Sequence, residues 1–134
     1  MSEIGDYLMR NYYNKYNPAD YGLPQITKEM VEMMVEKYAD KIVVIRNPDI
    51  KGVAVYMTLT DITYENLDLI DLSDPEVIAE LLKEEGNNLH FFMVCGSSVK
   101  NILQGIREVK RRHKPKTISW FNQDLSYLHK YNMN

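Results

Sequence analysis

The sequence predicts an α/β (α+β) fold: one mixed central sheet with helices on both faces. Three observations carry that prediction. Two β-branched runs, KIVVIRN and VAVYMTLTD, flank a Pro/Asp/Gly turn and read as an antiparallel hairpin. A later unit, LHFFMVC, then VKNILQGIREVKRRH, then TISWF, reads strand–helix–strand, which makes its two strands parallel neighbours. Helical apolar spacing occurs both before the hairpin and between the two units. A sheet with antiparallel and parallel parts and apolar helices to cover it is the economical assembly.

The chain of 134 residues suits one domain, 1–134, with one real core. Its first part, 1–24, is Tyr-rich; Tyr7, Leu8, Tyr12 and Tyr16 can share one helical stripe before Pro18, Gly22 and Pro24 break regular structure. Ile26, Met30, Met34 and Tyr38 then recur at four-residue spacing, with Thr27 as N-cap and Ile26 and Val31 as a hydrophobic staple. The methionines read as pliable core rather than a ligand face.

The hairpin predicts strands near 41–47 and 53–60. The acidic connector from Asp61 to Asp71 shows only loose patterning. DLSDPEVIAELLKEEG predicts a helix over 73–85, with Ser73 and Glu76 as a capping box, Val77, Ile78, Leu81 and Leu82 as its buried stripe, and Gly86 at its stop. LHFFMVC is apolar on both faces, as an interior strand is. In the next helix Val99, Ile102, Leu103, Ile106 and Val109 form the inner face. The tail, 125–134, reads as a short helix or a loose end.

Composition excludes several classes. A net charge of −3 gives no global basic field for nucleic acid. No apolar run approaches the roughly 18 residues of a membrane span, and the polar N-terminus is not a signal peptide. A single cysteine forbids an internal disulfide and fits a reducing cytoplasm. The three histidines, His90, His113 and His129, lack metal-site spacing, so no metal is expected.

Five features could carry chemistry. Gly96, Ser97 and Ser98 join strand to helix, where free N–H groups and the positive end of the dipole attract anions; the same serines can equally be routine helix caps. Neither a Walker loop nor a G-x-S-x-G elbow is present. Cys95 could be activated by the adjacent helix, but reads better as a buried thiol; His90, five residues upstream and on the opposite strand face, is no local base for it. His90, at a strand start beside an Asn/Gly loop, reads equally as a general base or a structural histidine. The basic stretch Arg107 to Lys116 could touch phosphates, yet cations at a helix C-terminus are ordinary. SWFNQD with Tyr127, His129 and Tyr131 could line a site, with Trp120 equally a core anchor.

From Lys41 to about Tyr131 the order of elements resembles the GNAT acyltransferase fold. The hairpin KIVVIRNPDIKGVAVYMTLTD is similar to that family's second and third strands, LHFFMVC to its fourth, VKNILQGIREVKRRH to its third helix, and TISWF to its fifth strand. An H-F strand and a late S-W segment are also similar to small phage- and prophage-associated GNAT-like proteins.

The resemblance implies acetyl-CoA or another acyl-CoA as cofactor, its pantetheine arm between the splayed fourth and fifth strands. Backbone N–H groups of Gly96, Ser97, Ser98 and Val99 would hold its pyrophosphate. An amine acceptor would attack the thioester directly, with His90 as base and Tyr127 or Tyr131 as acid. The Q/R-x-x-G-x-G/A signature falls on Met93, Gly96 and Ser98, and only Gly96 matches. The helix over 73–85 and the short tail also depart from the family. They leave room for a homodimer that completes the site, or for a catalytically silent interaction module. A nucleic-acid binder using the basic helix end is the third expectation, and no membrane association is expected.

Overall fold

The computed structural model describes residues 2–13, 27–72, 74–121 and 127–133, with side chains in the first segment described to residue 11. Five strands form one sheet in chain order: β1 (Ile42–Arg46), β2 (Ile50–Leu59), β3 (Asn88–Gly96), β4 (Thr117–Phe121) and β5 (Leu128–Asn132). Only the β3/β4 pair is parallel; the other three are antiparallel. The helices are α1 (Glu3–Leu8), α2 (Lys28–Lys37), α3 (Asp61–Glu65), α4 (Pro75–Lys83) and α5 (Val99–His113). A π-helical turn over Met9–Tyr13 extends α1, and 3₁₀ turns lie at Ala39–Lys41 and Leu67–Leu69.

β2 is sealed along nearly its whole length, because helices cover both faces of the sheet. Val53, Val55, Met57 and Leu59 face a core filled by Tyr7 and Leu8 of α1, Met30, Val31 and Met34 of α2, and Ile78, Leu81 and Leu82 of α4. Ala54 and Tyr56 face the other way, toward Val109 and Ile106 of α5. The methionines of α2 are core, and Thr27 caps the helix by accepting from the Met30 N–H. Tyr12, Tyr16 and Ile26, assigned above to a stripe and a staple, lie outside the described side chains.

Four boundaries differ from expectation. The hairpin strands are 42–46 and 50–59, so the turn is tighter than the pattern suggested. α4 starts at Pro75 and is capped by Asp74, whose carboxylate accepts from the Glu76 N–H. Proline at the first helical position needs no N–H partner there, which fixes the start one residue later than a Ser73 cap would; Ser73 itself lies outside the described residues. The connector after β2 holds a short helix, α3, capped by Thr60. The tail is neither helix nor loose end: β5 pairs with β4 over Leu128–Asn132, completing an edge that β4 would otherwise leave bare.

A buried lysine ties α4 to the sheet. Lys41, 2% exposed, donates from Nζ to Thr58 Oγ1 at 2.9 Å and to the carbonyls of Glu84 at 3.0 Å and Leu82 at 3.3 Å, with Glu85 Oε1 at 3.4 Å. An ammonium group is tolerated inside only when it is bonded in this way, and the negative end of a helix is a suitable place for it.

Gly86, just beyond α4, is required by close approach. A Cβ there would stand 2.1 Å from the Leu59 carbonyl oxygen and 2.7 Å from the Thr60 nitrogen, inside that peptide unit. Gly105, inside α5, is different: an added Cβ would meet Ala54 Cβ at 3.8 Å and Ile45 Cγ1 at 4.0 Å, ordinary contacts. Gly86→Ala is therefore expected to destabilise the fold by about 2 kcal/mol or more. Gly105→Ala should be neutral or gain up to about 1 kcal/mol from helix propensity. Urea unfolding of the two variants checks the pair; equal effects would show that neither backbone approach is as described.

Candidate functional site

β3 and β4 pair over only part of their length. The ladder joins Asn88 to Thr117, Leu89 to Ile118, His90 to Ser119 and Phe91 to Trp120. β4 then ends at Phe121, while β3 runs on through Phe92–Gly96, paired with β2 alone among the described strands. The parting coincides with a bulge. Val55 opposes Met93 and Tyr56 opposes Phe91, so Phe92 is an extra residue with no partner in β2. Among the described strands, none pairs with that edge of β3 beside the start of α5.

α5 begins at Ser98, whose extended backbone (φ −154°, ψ 163°) and hydroxyl make the cap: Oγ accepts from the Asn101 N–H at 3.2 Å. The hydroxyls of Ser97 and Ser98 both donate to Asn101 Oδ1, at 2.9 and 2.8 Å. The Ser97 N–H donates to the Lys51 carbonyl at 2.9 Å. Gly96 is pressed against α5 and the β2 start, for a Cβ there would lie 3.0 Å from Ile102 Cγ1 and 3.2 Å from the Lys51 oxygen. Its glycine is explained by packing as fully as by a phosphate.

The proposed cradle of Gly96, Ser97, Ser98 and Val99 is accordingly narrower than the sequence implied. Ser97 spends its N–H on Lys51, and the serine side chains spend theirs on Asn101. The first-turn N–H groups of Val99 and Lys100 have no helical partner, as at any helix start. No acidic residue stands in that turn, and Lys100 adds a cation. The donors fit one phosphate group; they do not make a cradle for two.

The other predicted site residues lie elsewhere. His90 is 1% exposed on the α1/α2/α4 side of the sheet, with Nδ1 2.8 Å from Ser119 Oγ and its ring edge-on to Phe121 at 5.6 Å. Burial pushes its pKa down to about 3. A base with that pKa and no exposure has neither the basicity nor the access for proton abstraction near neutral pH. Tyr127 and Tyr131 are exposed on the opposite side of the sheet, with Trp120 and His129. The sheet stands between His90 and both tyrosines. Cys95 is a buried core thiol, 2% exposed. The bulge also puts it on the same face as His90, not the opposite one, but roughly 16 Å of strand still separates them.

The tail aromatics that the sequence offered as a site lining do cluster: the rings of His129 and Tyr131, themselves 6.5 Å apart, both stack on Trp120, with centroids 5.1 and 5.2 Å away and planes within 17° and 14°. Sequence reasoning missed two features. Ser119, sealed and bonded to His90, gave no signal beyond a polar residue in a strand. Tyr7, 7% exposed, buries a hydroxyl that has no hydrogen-bond partner among the described residues. Val99 and Leu103, assigned to the inner face of α5, are 72% and 43% exposed. The residues sealed in α5 are Gly105 and Val109, so the face that meets Ala54 and Ile45 is rotated from the stripe that the sequence suggested.

No protein-family description matches this chain, and no curated protein or solved structure does either. A functional reading must come from the residues, and His90 gives one that pH reports directly. Its pKa in the fold lies below the ordinary 6.5, so between about pH 6.5 and 3 the unfolded chain takes up a proton that the folded chain refuses. Stability should therefore fall as pH falls, by about 1.4 kcal/mol per unit from this group, or about 2 kcal/mol between pH 6.5 and 5. His113, also held low by burial and by the Lys41 charge, adds to the loss in the same direction. In His90→Gln the loss measured by urea unfolding should shrink by about 2 kcal/mol over that interval. An unchanged slope would mean His90 is not sealed.

Proposed function

We propose that the parting of β3 and β4 takes the arm of an acyl-CoA, with the first turn of α5 at one end of it, and that the chain transfers the acyl group to an amine, as a GNAT-like N-acyltransferase does. The supporting observation is the parallel ladder that ends at Phe91 and Trp120, one residue before β4 itself ends at Phe121, while β3 continues to the helix start. Bound there, the cofactor would supply the thioester carbonyl that an amine attacks. The edge of β3 beyond the β4 ladder, which no described strand pairs, would meet amide groups of the arm. The N–H groups of Val99 and Lys100, with the Lys100 ammonium, would hold one phosphate.

Of the two tyrosines, Tyr127 has the better position for protonating a leaving thiolate. It stands at the head of β5, where Leu128 meets Phe121 at the end of β4. Tyr131 pairs lower, opposite Ile118. His90 is left out of the mechanism, and an acceptor amine would have to be bound neutral or deprotonated by water. That gap favours a second reading, a catalytically silent GNAT-like binding module, on the single observation that His90 is sealed. The nucleic-acid reading loses support from Glu108, which pairs with both Arg111 and Arg112.

Thermal unfolding with millimolar acetyl-CoA tests the proposal. A ligand at 100 times its Kd adds about 2.7 kcal/mol, which is several degrees for a domain of this size. Val99→Pro isolates the helix-start donor. Proline is favoured at the first helical position, and the extended Ser98 accepts a following proline. The variant should melt within a degree or two of the native chain alone and lose most of the acetyl-CoA shift. No shift for the native chain would sink the proposal. A shift without thiol release when peptide or polyamine acceptors are offered would select the silent module.

A further inference from the structure

The sheet has two edge strands, and they are finished differently. β5 carries Lys130, whose Nζ donates to the Tyr64 carbonyl of α3 at 2.9 Å and sits 4.5 Å from the Tyr64 ring centre. A lysine on an edge and a helix tied to it are ordinary protection against strand addition. β1 has no such device along Ile42–Ile45. Its sequence there is IVVI, it holds no lysine or proline, and its register is disturbed only at the Ile45/Arg46 end. Among the described residues nothing pairs with its outer edge.

Beside that edge lies a cleft of about 420 Å³. Val43, Val44 and Ile45 form one wall; Arg107, Glu108, Arg111 and Arg112 of α5 form the other. Three guanidinium groups face one carboxylate, in a chain whose net charge is −3. Glu108 is shared by Arg111 and Arg112, at 2.6 and 3.3 Å. Arg107 makes no ion pair among the described residues. The chain has thus gathered positive charge at a strand edge that is unprotected among the described residues, against its own overall sign.

We propose that this cleft is a docking site for an extended acidic segment of a partner protein, added as a strand to β1. Backbone groups of the segment would pair with the outer edge of β1, and alternate carboxylates would reach the arginines of α5. A volume near the low end of ligand sites admits a few side chains of a strand and not a folded body. Nucleic acid offers no strand to pair with an apolar β edge. This site is independent of the acyl-CoA reading, since it lies at the other end of the sheet from β4.

The test uses a labelled short peptide of alternating Glu and Val, its Lys and Val counterpart, and the acidic peptide N-methylated on alternate backbone amides, each titrated into the full chain at low salt. The acidic peptide should bind at least tenfold more tightly than the basic one, weaken with salt, and lose at least tenfold on N-methylation of the set that faces β1. Amide resonances of Val43, Val44 and Ile45 should shift. Arg107→Glu, which breaks no ion pair among the described residues, should weaken binding about tenfold with the melting temperature unchanged, and adding Arg111→Glu should weaken it further. Equal affinity for both peptides, no binding, or shifts away from 43–45 would overturn the proposal. So would tighter binding of a single-stranded oligonucleotide, or a dimer in sedimentation that the acidic peptide does not displace.

Discussion

A strand sealed on both faces must be covered twice, and β2 sets that requirement for the whole chain. Its ten residues carry apolar side chains to both sides, so α1, α2 and α4 are needed on one face and α5 on the other. Its polar residues are accepted only because they are bonded. Thr58 shares the Glu84 carbonyl with Lys41, and Tyr56 donates to the Asp40 carbonyl at 3.0 Å and lies 2.6 Å from His113 Nε2. Each bond joins β2 to a different neighbour: the turn before β1, the end of α4, the end of α5. Leaving one such group unbonded inside would cost about 1–3 kcal/mol, so the positions of three helix ends are specified from within a single strand.

The second constraint is one extra residue. Phe92 bulges out of the β2/β3 ladder, and everything after it in β3 changes face relative to simple alternation. Met93 and Cys95 join the α1/α2/α4 core with His90, while Val94 joins Leu89 and Phe91 beneath α5. The same bulge marks where β4 stops following β3. A change of side-chain parity and the end of the described β3/β4 ladder thus arise at one place, which is why the candidate cofactor site and the sealed histidine sit near each other in sequence yet on different sides of the sheet.

Much of this was legible in the sequence. The hairpin, the interior strand, the parallel partner and the amphipathic helix follow from periodicity and turn residues, because those depend on local chemistry. Thr27 and the buried methionines were legible for the same reason. What escaped depended on distant partners. A polar run such as LHKYN becomes a strand only because β4 has an open edge to receive it. Phe92 is one apolar residue among several, and nothing local marks it as extra. The burial of His90 follows from Met57 and Ser119 facing it across two ladders, and neither lies close to it in the chain. The rotation of α5, which exposes Val99 and Leu103, places Gly105 over Ala54 and Ile45, neighbours more than fifty residues away.

α5 concentrates positive potential at both ends by different means. Its first turn holds no acid, unlike those of α1, α2, α3 and α4, so the dipole there is uncompensated. Its last turn holds Lys110, Arg111, Arg112 and His113, where cations suit the opposite pole. At the C-terminal end the cations exceed what the dipole needs. Glu108 takes up part of the excess, and Arg107, a turn earlier, extends the charge along the flank toward β1. A helix that only covered a core could meet its requirements with the inner stripe and a balanced outer face. Here the charge is distributed to two places where no described strand pairs the sheet, β3 beyond its ladder with β4 and the outer edge of β1. Both are sites where a chain or chain-like ligand can add hydrogen bonds, and both are flanked by charge of the same sign.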